Sequence, residues 1–209
     1  MTSIENITLD VADVQAAAEF YATAFGLDER LRLRAAQEPS SGFRGFTLSL
    51  TVAQPADVDA YLDAAVAAGA RTLKPAAKSM WGYGGVVQAP DGAIWKAATS
   101  TKKNSGPGVK RFDSLVLLLG VANVGASKRF YVEHGLTVAK SFGPMYVEFE
   151  GGGSPVKLGL YKRRALAKDA GVSSDGDGSH RLVIGGDTEG FTDPDGFAWQ
   201  AASVHSGSH

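Results

Sequence analysis

Polar and apolar positions run through the chain in two related series. The first series opens on Thr8, Leu9 and Val11, a short β-branched and apolar stretch that reads as a strand. Asp13 follows as a helix N-cap, because its carboxylate can accept from backbone N–H groups that have no partner in the first turn. Val14, Ala17, Ala18, Tyr21 and Phe25 then fall on one face at helical spacing, and Gly26 supplies the stop. The second series repeats the order, with Asn123 as cap, Val124, Ser127, Lys128 and Tyr131 along a less apolar face, and Gly135 as stop.

After these helices the two series diverge. In the first, DERLRLR reads as a strand, AAQEPSSG as a polar turn and FRGFTLSLTV as a further strand. Pro55 fits the first position of a second helix whose stripe is Val58, Tyr61, Leu62, Ala65 and Ala68, ending at Gly69. The second series instead places the strands MYVEFE and VKLGLY around the hairpin signal GGGSP. A short helical or irregular piece, KRRALAKDAG, and the strand HRLVIGGD come next. Too few residues separate Asp187 from Phe191 for another helix. One series therefore lacks a hairpin and the other a helix.

Both series close on the same phrase, APDGAIWKAATS at Ala89–Ser100 and TDPDGFAWQAAS at Thr192–Ser203. Phe20-Tyr21 matches Phe130-Tyr131, Gly26-Leu27 matches Gly135-Leu136, and Trp95 matches Trp199, with an interval that shrinks along the chain. Self-similarity in this order implies two copies of a domain. The expected boundaries are residues 1–100, a polar linker at 101–109, a second domain at 110–204 and a flexible tail at 205–209 that holds His205 and His209.

Composition narrows the chemistry. There is no cysteine, which removes disulfides, thiolate metal sites and thiol catalysis. A formal net charge of −1 gives no reason to expect a nucleic-acid or anionic-membrane partner. No apolar run is long enough for a membrane span, and MTSIENITLD has no basic leader region, so the expected location is cytoplasmic.

The pattern of a capped helix ending in FY and GL, then DVDAYLDAAVAAGA, WGYGG and PDG-x-x-W, resembles the glyoxalase/bleomycin-resistance/extradiol-dioxygenase superfamily, also called vicinal oxygen chelate. The resemblance covers nearly the whole chain. It implies an α+β fold of tandem βαβββ-type modules whose curved mixed sheets enclose a cleft, often with a divalent metal held from the first and last strands of the modules. On this chain those ligand positions fall on Asn6 and Lys96 in the first copy, and on Ser114, His180 and Gln200 in the second. A lysine repels a divalent cation, and one imidazole with one neutral amide is a poor donor set. No metal or other cofactor is expected, with His180 and Gln200 the residual metal candidates.

The remaining polar motifs have plain structural readings. Asp91-Gly92 and Asp195-Gly196 are turn chemistry, and Trp95 and Trp199 read as core. His134 ends a helix, where a partial positive charge suits the dipole. GVSSDGDGSH reads as a flexible turn, and Lys162, Arg163 and Arg164 as a solvated cationic face. Rings between glycines in MWGYGG, and those in FGPMYVEF and LGLY, suit a pocket wall, so Trp81, Tyr83, Met145, Tyr146 and Tyr161 are the candidate ligand contacts. No catalytic residue is assigned. The function expected is metal-independent binding or sequestration of an apolar or aromatic small molecule. The alternatives are a metal-dependent lyase, isomerase or dioxygenase-type enzyme, and a non-catalytic interaction module. The only partner expected is the small-molecule ligand, with a homodimer as one form of assembly.

Overall fold

The computed structural model describes residues 2–202, so His205, His209 and the expected tail lie outside the described residues. The chain runs β1 (Ile4–Val11), α1 (Val14–Ala24), β2 (Leu31–Ala35), β3 (Ser40–Gly42), β4 (Phe46–Thr51), α2 (Pro55–Ala67), β5 (Arg71–Ser79), β6 (Gly82–Gln88) and β7 (Ile94–Thr99). It continues with β8 (Ser114–Val121), α3 (Val124–Glu133), β9 (Val138–Phe142), β10 (Tyr146–Phe149), β11 (Val156–Lys162), α4 (Arg163–Ala170), β12 (Gly176–Gly178), β13 (Leu182–Gly186), β14 (Phe191–Thr192) and β15 (Ala198–Ala201).

Two complete βαβββ units sit mid-chain, β4–α2–β5–β6–β7 and β8–α3–β9–β10–β11. In each the first strand pairs in parallel with the last, β4 with β7 and β8 with β11. Antiparallel pairing of β4 with β8, from Phe46 opposite Leu119 to Thr51 opposite Ser114, joins the units into an eight-stranded sheet, β5-β6-β7-β4-β8-β11-β10-β9. The outer parts of the chain build a smaller, five-stranded sheet, β14-β15-β13-β1-β2. There β1 pairs antiparallel with β13, and α1 connects β1 to β2 alone. The two sequence halves therefore do not fold side by side. Each sheet takes strands from both.

Strand alternation explains this exchange. Ile7 and Leu9 of β1, Phe46, Leu48 and Leu50 of β4, Leu115, Leu117 and Leu119 of β8, and Ile184 of β13 point to one common core with the buried faces of α1, α2 and α3. Neither sheet could bury its apolar face alone, and each covers the other across the helices. The intervening positions, such as Thr8, Ser49, Lys96, Val116 and Glu148, lie on the opposite, outer faces.

Local chemistry fixes the helix ends. Asp13 accepts from the N–H of Ala16 at 3.0 Å and Asn123 from that of Ala126 at 2.9 Å, so both expected caps form. Pro55 opens α2. The buried face of α1 is Ala17, Phe20, Tyr21 and Ala24, while Val14 is exposed. This corrects the expected stripe, since the larger Phe20 ring takes the buried side. GVSSDGDGSH is also corrected, because its Gly176–Gly178 pairs with Ser40–Gly42 from the other polar turn as a two-stranded ribbon. No helix among the described residues is long and apolar enough to cross a membrane.

Candidate functional site

The repeated phrase has a structural purpose in both halves. Tyr21 donates its hydroxyl proton to Asp91 at 2.6 Å and accepts from the Trp95 indole at 3.2 Å. Tyr131 donates to Asp193 at 2.7 Å and accepts from the Trp199 indole at 3.3 Å. Each tyrosine of an FY pair thus ties its helix to a PDG turn and a final strand. The second half uses Asp193, two residues before the turn aspartate, whereas Asp195 accepts from the Ala122 N–H and the Ser127 hydroxyl. Burial first, and the neighbouring carboxylate second, push both phenols well above the usual tyrosine range. Burial also raises the Asp193 carboxyl, against the lowering effect of its hydrogen bonds. Tyr21, Trp95, Tyr131, Asp193 and Trp199 are buried and hold the fold, while Asp91 and Asp195 are half-buried and Asp91 borders a cleft beside α1.

The metal-ligand positions are regrouped by the sheet exchange. Asn6 and Gln200 share the five-stranded sheet, on either side of Gly185, while Lys96 and Ser114 share the eight-stranded one. The Lys96 ammonium pairs with Asp169 at 3.0 Å. His180 has Nδ1 2.6 Å from the Arg44 carbonyl and Nε2 2.9 Å from the Asp195 carbonyl, and stacks on Phe197 at 3.9 Å. A ligating nitrogen must present a lone pair to the metal, and each of these faces an acceptor instead. Among the described residues no group of three or more His, Asp or Glu side chains converges. The donors at the expected positions do not fit a divalent metal.

The outer face of the eight-stranded sheet is half covered. Helix α4 lies across β8, β11 and β4, burying Leu166, Ala167 and Ala170 against Phe43, Val86 and Ile94 in a cluster separate from the main core. Arg163 fixes its start, donating to the Phe43 carbonyl at 2.7 Å and the Ser174 carbonyl at 3.1 Å and sitting over the Phe43 ring. Lys74 donates to the Lys168 carbonyl at 2.9 Å near its end. Of the expected cationic face, Arg163 is therefore structural, while Lys162 and Arg164 are exposed.

Beside α4 the same face carries a row of rings. Tyr146 on β10 stands opposite Phe142 on β9 and Tyr161 on β11. Ring centroids are 6.0 Å apart for the stacked Phe142–Tyr146 pair and 4.8 Å for Tyr146–Tyr161. The Tyr146 hydroxyl donates to Glu148 at 3.2 Å. Val147 and Phe149 point into the core, which settles the inside face. Phe142 remains 63% exposed and Met145, in the β9–β10 turn, 44%. Burial raises both the Tyr146 and the Tyr161 phenol above the usual tyrosine range, with the Glu148 carboxylate adding to the rise at Tyr146.

The expected contacts divide accordingly. Tyr146 and Tyr161 come together, joined by Phe142, while Met145 in the β9–β10 turn borders a groove with Lys162, Arg164 and Lys168. Trp81 and Tyr83 do not join them, since four strands separate β6 from β10, a span of roughly 24 Å. Tyr83 faces α2 and donates to Asp59 at 2.7 Å, and Trp81 stands in the β5–β6 turn with 83% of its surface exposed. Sequence reasoning missed α4 as a cover, although Leu166, Ala167 and Ala170 have the spacing of one helical face. Phe142, a ring of FGPMYVEF, takes its place in the row through β9 pairing with β10.

Comparison with known proteins places this geometry. Residues 6–98 match the family model described as Glyoxalase-like domain. Glyoxalase I from Zea mays has a similar structure, with a TM-score of 0.62 at 14% identity over 95% of this chain and 91% of that one. A putative dioxygenase from Bacillus subtilis subsp. subtilis str. 168 superposes with a TM-score of 0.53 at 13% identity, over 88% of this chain and 69% of that one. At such identities the likeness is one of fold. No curated protein matches the chain in sequence.

Proposed function

We propose that this chain, which has the fold of the vicinal oxygen chelate superfamily and a glyoxalase-like domain at residues 6–98, binds a flat aromatic or apolar small molecule without a metal. The observation that carries the reading is the row Phe142, Tyr146 and Tyr161 on the outer sheet face, with the exposed Met145 at its edge. Rings already set in a row offer stacking area at small entropic cost, and a thioether adapts to irregular ligand edges. Lys96, bound to Asp169, has no lone pair to offer a divalent cation, which supports the metal-free form of the reading, capture or sequestration. Titration with 2-naphthol, followed by thermal shift and tyrosine fluorescence, tests it. A probe at one hundred times its Kd stabilises the fold by about 2.7 kcal/mol. Phe142→Ala and Tyr146→Ala each remove that stabilisation if the row is the site. A 2-naphthol response that survives both substitutions, or no response from a panel of neutral bicyclic aromatics, refutes the reading.

A further inference from the structure

The five-stranded sheet carries a different opening. Its outer face borders a cleft of about 1270 Å³, lined by Asn6, Arg30, Arg32, Gly186 and Thr188 among others. The polar groups at its floor are not used by folding. Asn6 is only 5% exposed, yet its amide has no hydrogen-bond partner among the described residues. It sits at a register irregularity of β1, where a bulge can re-aim a side chain. It lies across Gly185 of β13, where a Cβ would run into its Oδ1, so glycine there is what gives the amide its place.

Arg32 is the second unused group. Three arginines alternate along this face, and the outer two are spent. Arg30 grips Asp28 at 2.8 and 2.9 Å, and Arg34 grips Asp10 at 2.8 and 3.1 Å. Arg32, half-buried beside Thr8 on the parallel ladder, makes no ion pair or side-chain hydrogen bond among the described residues. Strand geometry puts its Cα roughly 7–8 Å from that of Asn6, on the same face. A guanidinium fork and an amide open to the cleft at that spacing suit a carboxylate with a hydrogen-bonding neighbour.

The rim sets a limit on charge. Glu5, Asp28, Glu29 and Asp187 also border the cleft. Asp28 is neutralised by Arg30, but among the described residues Glu5 accepts only from the Ser3 hydroxyl and Asp187 from the Ser3 N–H. With Glu29 also at the rim the cleft is net negative, so it tolerates a single carboxylate held on Arg32, an adjacent ammonium or hydroxyl suits the acidic rim, and a second negative charge is repelled.

We infer that this cleft is a binding site for a small monocarboxylate bearing a hydroxyl or amino group next to its carboxylate. Arg32 holds the carboxylate, and Asn6 reads both it and the adjacent group. The site is independent of the aromatic row on the other sheet.

The test is a titration of the full chain with glycolate, glycine, succinate and inorganic phosphate, followed in ¹H–¹⁵N spectra at the Asn6 side-chain amide and the Arg32 Nε–H. A saturable shift of both signals with glycolate or glycine is expected, with binding weaker by about tenfold or more in Arg32→Gln. Gly185→Ala pushes the flexible Asn6 amide aside, so a native-like spectrum with lost binding supports the same site. Tyr146→Ala leaves this binding unchanged, which separates it from the aromatic row. No saturable shift with either monocarboxylate, unchanged affinity in Arg32→Gln, or succinate or phosphate bound as tightly as glycolate each overturns the proposal.

Discussion

Replacing Tyr131 with Phe removes one oxygen from the core and leaves two groups without their partner. The hydroxyl donates to Asp193 Oδ2 at 2.7 Å and accepts from Trp199 Nε1 at 3.3 Å, all in the buried interior. A hydrogen bond to a charged group contributes about 1.5–3 kcal/mol, and the longer indole contact adds less. Asp193 keeps the N–H groups of Asp195 and Phe197 on its other oxygen, at 2.9 and 2.8 Å. Tyr131→Phe should therefore cost about 2–3 kcal/mol at pH 7, read from urea denaturation. The loss has a pH signature. Burial already holds the Asp193 carboxyl above its ordinary 3.8, and the tyrosine bond is a counteracting, lowering influence. Without it the folded-state value rises further. A raised value means stability that is full below the unfolded value and falls as pH climbs through the folded one. The cost of Tyr131→Phe should accordingly be small near pH 4 and grow toward pH 7. A cost under about 0.5 kcal/mol, or one that is the same at both pH values, would refute the reasoning that this bond compensates a buried carboxylate.

Alkaline stability follows from the same tyrosines. Tyr21 and Tyr131 are raised well above the ordinary value of 10.0, and Tyr61 is pushed up to about 12, chiefly by burial. Stability is then full below pH 10 and is lost above it, by about 1.4 kcal/mol per pH unit for each phenol that stays protonated in the fold. Tyr21→Phe should make that decline shallower in denaturation series above pH 10, and an unchanged slope counts against the assignment. On the outer face, Leu166→Ala should loosen α4 by about 2–3 kcal/mol, whereas Asp169→Asn, which breaks an exposed pair with Lys96, should cost under about 1 kcal/mol. Amide exchange within α4 reads both, and the reverse ranking would show that the ion pair rather than the apolar cluster holds the helix down.

Local periodicity carried much of the architecture. Asp13, Asn123, Gly26, Gly135 and Pro55 mark helix ends because capping and backbone freedom are properties of a few neighbouring residues. Alternation in MYVEFE and VKLGLY placed Tyr146 and Tyr161 on strands, and the donor chemistry of Lys96, Asn6 and Gln200 already argued against a metal cage. Partners across the fold were another matter. That β1 joins β13 and β4 joins β8 depends on which apolar faces bury each other, a choice among strands far apart in the chain. The exchange put Asn6 beside Gln200 rather than with Lys96. It gave His180 two carbonyl neighbours, and laid a weakly apolar helix over half of one sheet. The sequence by itself determined most helices and strands and the caps that end them, because these follow from local backbone preference and spacing. Only the tertiary structure decided which outer face stays open and which side chains meet there, because pairing is selected by burial summed over the whole molecule.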